Sequence, residues 1–219
     1  MTTVKLISYS QAPEGSESLN AQDLISYCAR VSNPANQMNK ETSEKLITYL
    51  IQHKHWSPLE MVSVCLEINT TRDIAHQIVR HRSFSFQEFS QRYAEPSEMG
   101  EMFVTRECRM QDLKNRQNSI EAYDEEIKTG WLSLQQDIIK QCSEVYKWAI
   151  ANGIAKEQAR AILPEGLTKT RLYMNGTLRS WVHYIELRGA NGTQKEHMEI
   201  AHACAKVIAE IFPLADKLY

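Results

Sequence analysis

The sequence predicts an α+β fold, a single compact domain with a mixed or antiparallel sheet flanked by helices. Three observations carry this reading. Residues 61–69 alternate apolar and polar positions, with Val62, Val64, Leu66 and Ile68 on one side, the period of a half-buried strand. Other segments place apolar residues three and four apart, as helices do, and strand-like and helix-like segments follow one another in mixed order. The 219 residues exceed the usual span of one domain, about 100–200, yet no Pro/Gly/Ser-rich linker and no internal repeat divides them. A chain of 25.2 kDa should expose about 10,000 Å² folded against about 36,000 Å² unfolded, so roughly 70% of its surface can be buried without staples.

Val4 to Tyr9 is rich in strand formers, and Leu19 to Val31 then carries Leu24, Ile25 and Cys28 at helical spacing. Asn33-Pro34-Ala35-Asn36 breaks the chain, and a helix over Glu44 to His53 turns Leu46, Ile47, Leu50 and Ile51 inward. After the strand at 61–69, Thr71 can cap a short helix over Arg72 to Arg80, with Gln77 and His81 on one side of it. Met102 to Arg109 reads as a strand and 111–128 as a polar surface excursion. A long helix from Gly130 to Asn152-Gly153 carries Ile138, Cys142, Val145 and Ala149 as its inward stripe. Lys156 to Leu163 reads as a helix stopped by Pro164, Thr168 to Met174 as extended, Thr177 to Arg188 as a helix, and Thr193 to Phe212 as the last helix.

Composition excludes several classes. Hydrophobic content of 42% with 24% charged residues is ordinary for a soluble globular protein, and no apolar run reaches the length of a membrane span. A net charge of −2 argues against a surface built for nucleic acid, so any anion site must be local. The opening MTTVKLISYS lacks an apolar segment followed by a cleavage site, and the cytoplasm is the expected compartment. Five cysteines with no C-x-x-C suggest free thiols. No Gly-rich phosphate loop is present, so side chains must hold any nucleotide, and no histidine or cysteine spacing suggests a metal site.

The densest cluster of unusual residues runs from Arg80 to Tyr93. If this stretch is extended, Glu88, Ser90 and Arg92 on alternate positions aim a carboxylate, a hydroxyl and a guanidinium into one place. Arginine pairs bidentately with phosphate, and histidine can donate to an anion. Two other readings stand beside this one: a solvated basic turn with Phe84, Phe86 and Phe89 buried, and a nucleic-acid patch over residues 72–93 with aromatic residues for base stacking.

Arg80-His81-Arg82, seven residues, Ser90 and then Gln91-Arg92-Tyr93 resembles the signature of the flavin-dependent thymidylate synthases. His55-Trp56-Ser57-Pro58-Leu59-Glu60 is similar to the family's segment before its first long strand, and Gln77 lies three before Arg80 as in the family. The stretch from Lys156 to Pro164 is similar to its arginine-bearing helix, and Leu178-Arg179, Glu186-Leu187-Arg188 and Thr193-Gln194 to its closing element. The resemblance spans roughly residues 20 to 212. The chain departs from the pattern at Gln87, at Thr193 and by about two extra residues near Asn175.

The resemblance implies that the chain makes dTMP from dUMP with FAD as cofactor and with methylenetetrahydrofolate and NADPH or NADH as co-substrates. It implies dUMP binding by Gln77, Arg80, Glu88, Ser90, Gln91, Arg92, Arg160 and Arg188, and FAD binding by Ser57, Arg80, His81, Arg82, Glu88, Arg179 and His183. His55, Asn175 and Gln194 complete the cofactor set. By the same resemblance Arg188 is expected to face the pyrimidine and to favour its N3-deprotonated form. Ser90 is expected to donate to the phosphate; as a nucleophile it would need a base, and Glu88 is a poor one. A homotetramer with shared active sites is implied, and no nucleic-acid or membrane partner.

Overall fold

A computed structural model describes residues 2–13 and 19–217 of the chain. Strands β1 (Thr3–Tyr9), β2 (Ser63–Thr71), β6 (Lys169–Thr177) and β3 (Ser85–Glu88) form a four-stranded sheet in that spatial order, every pair antiparallel. β2 and β6 pair along their whole length, from Ser63↔Thr177 to Thr71↔Lys169. The alternation in β2 works as its sequence requires: Val64, Leu66 and Ile68 are fully buried, while Cys65, Glu67 and Asn69 face the other way.

On the buried face, Leu172 and Met174 of β6 join the β2 side chains against α6 (Leu178–Gly189) and α7 (Lys195–Ala209). Ile25 of α1 (Ala21–Ala29) and Ile47 of α2 (Ser43–Gln52) close the same core. The Trp181 indole is fully buried and donates to the carbonyl of Val64 at 3.0 Å, so its polar edge is satisfied inside the core. A second cluster gathers Phe103, Tyr146, Ala149, Ala159 and Leu163 where α4 (Glu125–Ala151) meets α5 (Lys156–Ala159).

Four expectations need correction. Met102–Arg109 is not a strand; it makes one bridge, Phe103↔Thr168, because its middle is tied elsewhere: the Arg106 N–H donates to Gln135 and the Arg106 guanidinium to Asp73, both at 2.7 Å. Its last residue begins β4 (Arg109–Gln111), which pairs with β5 (Ser119–Glu121) inside the segment expected to be a plain polar excursion. Helix α4 starts before Gly130, because the Asp124 carboxylate caps the backbone N–H groups of Glu126 and Ile127. Its inward face is Gln135, Tyr146 and Ala149, whereas Ile138 and Val145 are about half exposed.

Candidate active site

The residues that meet come from α3 (Arg72–Ile78), the turn after it, the end of α6 and the start of α7, while β3 and the first turns of α6 carry two further groups. Helix α3 turns Ile74, Ala75 and Ile78 into the core, which leaves Arg72, His76 and Gln77 at its side. Thr71 occupies the cap position, but its hydroxyl donates to the Asp73 carboxylate at 2.5 Å and makes no bond to the helix backbone. The chain then turns, with the His81 N–H bonded to the Ile78 carbonyl at 3.1 Å, and Arg80 and Arg82 reach the surface on either side of His81.

His81 is the hinge of the site. Its Nε2 accepts from Nε of Arg188 at 3.0 Å, and its ring lies edge-on to Tyr184 at 5.0 Å. Burial first, then the charges of Arg188 and Arg80, lower its pKa to about 4, so the imidazole is neutral at physiological pH. Arg188 therefore spends one donor on a neutral ring and keeps its two Nη groups for another partner.

Beside this pair runs a polar chain that starts in the core and ends half-buried. His197, fully buried on α7, meets the Tyr184 hydroxyl at 3.1 Å through Nε2 and the Gln77 carboxamide oxygen at 3.3 Å through Nδ1. Gln77 donates to Gln194 at 2.8 Å, Gln194 to Glu196 at 3.0 Å, and Nη2 of Arg109 bonds both Glu196 oxygens at 2.7 and 2.9 Å. Gln77, His81, Arg188 and Gln194 are thus brought together.

Glu88 ends β3 and is clamped by Arg72 at 3.1 Å and by the Thr170 hydroxyl at 2.9 Å. The stretch from Arg80 to Tyr93 is extended only over Ser85–Glu88, with Phe89 still bonded to Arg171; from Ser90 the chain turns, its carbonyl accepting the N–H groups of Tyr93 and Ala94. Glu88, Ser90 and Arg92 therefore do not alternate along one strand. Gln91 is 3% exposed, with its carboxamide nitrogen unpartnered, while Arg92 is exposed and pairs with Glu157 at 3.3 Å, three residues before Arg160.

The remaining residues form a separate exposed group at the start of α6. Arg179 pairs with Glu60 of the short helix Ser57–Met61, and His183 lies edge-on to Trp56 at 4.3 Å. Ser57 opens that short helix, while His55 keeps company with Tyr49 and His53. Asn175 is mid-strand in β6, opposite Cys65 and Ser85.

A family model described as thymidylate synthase complementing protein matches residues 15–214. The chain belongs to this family. It is 50% identical over 193 residues to a probable flavin-dependent thymidylate synthase of Paramecium bursaria Chlorella virus 1, covering 88% of each chain. It is also 50% identical over 197 residues to a flavin-dependent thymidylate synthase of Synechocystis sp., covering 90% of this chain and 88% of the relative. A crystal structure of the UMP/dUMP methylase PolB from Streptomyces cacaoi, bound with 5-Br dUMP, superposes with a TM-score of 0.81 at 24% identity, covering 100% of this chain and 94% of that one. That likeness shows the fold.

Within the thymidylate synthase complementing family frame, the sequence reading missed Arg72, Thr170, Tyr184, His197, Arg109 and Glu196, all of which hold site residues in place. His197 carried only one signal, its position among apolar residues of a helix, and that pattern is indistinguishable from simple packing. Burial raises the thiols of Cys65, Cys142 and, furthest, Cys204 above the ordinary value, which disfavours thiolate at these three positions. Among the described residues no group of three or more His, Cys, Asp or Glu side chains is placed to hold a metal ion.

Proposed function

We propose that the chain is a flavin-dependent thymidylate synthase that methylates dUMP to dTMP. The observation that carries this reading is the bond from Arg188 to His81. It sets the central residue of the Arg-His-Arg motif against the arginine the resemblance assigns to the pyrimidine, and leaves that arginine two Nη groups to spare. C5 of uracil is a poor nucleophile, so a cation held against the ring in a site shielded from water would stabilise the negative charge that activates it. Gln77 and Glu88 are held by their own neighbours at the rim, and Ser90, Arg92 and Arg160 supply donors for a phosphate.

The FAD assignment fits the donor set. Arg82, Arg179 and His183 are exposed donors suited to a diphosphate, and the Trp56 ring beside His183 offers an apolar wall for a planar group. When bound, the flavin supplies the hydride that completes the methyl group. Methylenetetrahydrofolate as carbon donor, NAD(P)H as reductant and the cytoplasm as compartment belong to the same proposal.

A homotetramer with shared sites completes it. The protomer exposes 13036 Å², against about 10,000 Å² for a compact monomer of this mass. Along α4, the exposed Ile127, Trp131, Leu134, Ile138, Val145 and Trp148 follow the four–three spacing by which one helix seats against another. The nucleic-acid reading loses support, because Arg72, which opens its stretch, is clamped by Glu88. Expression in a cell lacking its own thymidylate synthase tests the function: growth without thymidine is expected, and failure to grow with folded protein present counts against it.

A further inference from the structure

The direction of every hydrogen bond in the chain from Tyr184 to Glu196 follows from its last member. Arg109 can only donate, and it occupies both oxygens of Glu196. Burial pushes the Glu196 carboxyl up, but the bonds from Arg109 and Gln194 outweigh it and hold the group below its ordinary value, ionised and accepting. Gln194 must therefore give Glu196 its amide N–H and turn its oxygen to Gln77. Gln77 must in turn present its amide to Gln194 and its oxygen to Nδ1 of His197. An oxygen cannot donate, so Nδ1 carries the proton. Burial, then the charge of Arg188, lower the His197 pKa to about 3, so the ring holds that single proton and its Nε2 is bare. Nε2 accepts from Tyr184, whose hydroxyl burial keeps protonated. Four bonds run one way, from Tyr184 through His197, Gln77 and Gln194 onto the carboxylate.

We propose that His197, backed by Tyr184, is a positioning residue that locks the Gln77 carboxamide with its oxygen inward, so that Gln77 meets the nucleotide only as a hydrogen-bond donor. The inference rests on Gln77 facing dUMP, as proposed above. A carboxamide is nearly the same shape either way round, and turning it over exchanges donor for acceptor. In this protein a reversed Gln77 would set oxygen against oxygen at Gln194 and amide against the N–H of His197. One amide hydrogen of Gln77 is left uncommitted, and it suits an oxygen of the nucleotide and repels a donor.

His197→Asn keeps a donor where Nδ1 stands, whereas His197→Gln reaches the Nε2 position and leaves the Gln77 oxygen without one. Calorimetric titration of the FAD-loaded variants with dUMP is expected to show affinity within about 3-fold of wild type for His197→Asn and about 10-fold weaker for His197→Gln, the loss of one hydrogen bond, at unchanged FAD uptake. Equal weakening in both variants, or none in either, would overturn the proposal. Tyr184→Phe removes only the far end of the chain; about 3-fold weaker dUMP is expected, and no change counts against the relay. An independent measurement needs no ligand: the ¹⁵N shifts of the His197 ring should show Nδ1 protonated and Nε2 bare from pH 5 to pH 8, and the opposite tautomer would end the proposal. Wild-type protein that takes up no dUMP would remove Gln77 from the nucleotide, while the ring tautomer would still decide the relay.

Discussion

Nε of Arg188 donates to Nε2 of His81 across 3.0 Å and ties the end of α6 to the turn that follows α3. The bond holds the guanidinium plane against a neutral ring. Arg188→Ala should therefore lower the rate of dTMP formation by roughly 10²–10³, as for the loss of one oxyanion-type donor, while NADPH still reduces the flavin. Single-turnover oxidation of the reduced enzyme with dUMP and methylenetetrahydrofolate checks this; a near-normal rate would remove Arg188 from the chemistry.

Ser90 sits where the chain leaves β3 and turns, its carbonyl closing the turn to Ala94. Ser90→Ala keeps that backbone and removes only the hydroxyl. It should weaken dUMP by about 1–2 kcal/mol, the contribution of one bond to a charged group, and retain turnover at high dUMP. Complete loss of dTMP at saturating dUMP would give the serine a covalent role.

Two imidazoles make the fold acid-sensitive. The pKa of His81 is lowered to about 4 and that of His197 to about 3, against about 6.5 in an unfolded chain. Above pH 6.5 both states are neutral there and the rings have no effect. Below it the unfolded chain binds protons first, so stability falls as pH drops from 6.5 towards 4, by at most about 1.4 kcal/mol per pH unit for each ring. Melting temperatures across that window should fall less steeply for His197→Asn than for wild type.

Gly176 of β6 packs under the Phe84 ring, where an added Cβ would overlap the ring carbons. Gly176→Ala should cost about 1–3 kcal/mol by overpacking, read as a lower urea midpoint at unchanged slope. An unchanged midpoint would mean that Phe84 can step aside.

The apolar stripe on α4 should govern assembly. Leu134→Glu combined with Trp131→Glu changes residues that are exposed in the protomer and belong to no proposed site. Sedimentation should show smaller particles than wild type, with helical circular dichroism retained. Wild-type protein that sediments as a monomer would remove the assembly from the proposal.

The central strands were legible because their signal is local: β2 alternates strictly, and Thr168 to Met174 reads as extended over most of β6. The Arg-His-Arg stretch was legible as a motif, though not as a shape. Whether Ser90 and Arg92 share a face with Glu88 depends on where β3 stops, and that is set by its pairing to β6 more than 80 residues away (Thr170 to Glu88 is 82). The start of α4 was missed because Asp124 looks like any polar residue of a loop until the two N–H groups it caps are seen. Tyr184 and His197 escaped notice for a different reason: a buried polar side chain on an apolar helix face acquires meaning only from the partner it meets.

In sheet order β6 lies between β2 and β3, yet it is the last of the four strands to be made, and Tyr173 reaches back 106 residues to Glu67. At about 5–20 residues per second, a ribosome that has finished β2 needs roughly 5–20 s more before its partner exists. During that interval β1 and β2 can form only a two-stranded ribbon, with the apolar row of Val64, Leu66 and Ile68 still lacking α6 and α7 and both edges open. The nascent chain should therefore recruit chaperones between the emergence of β2 and that of β6.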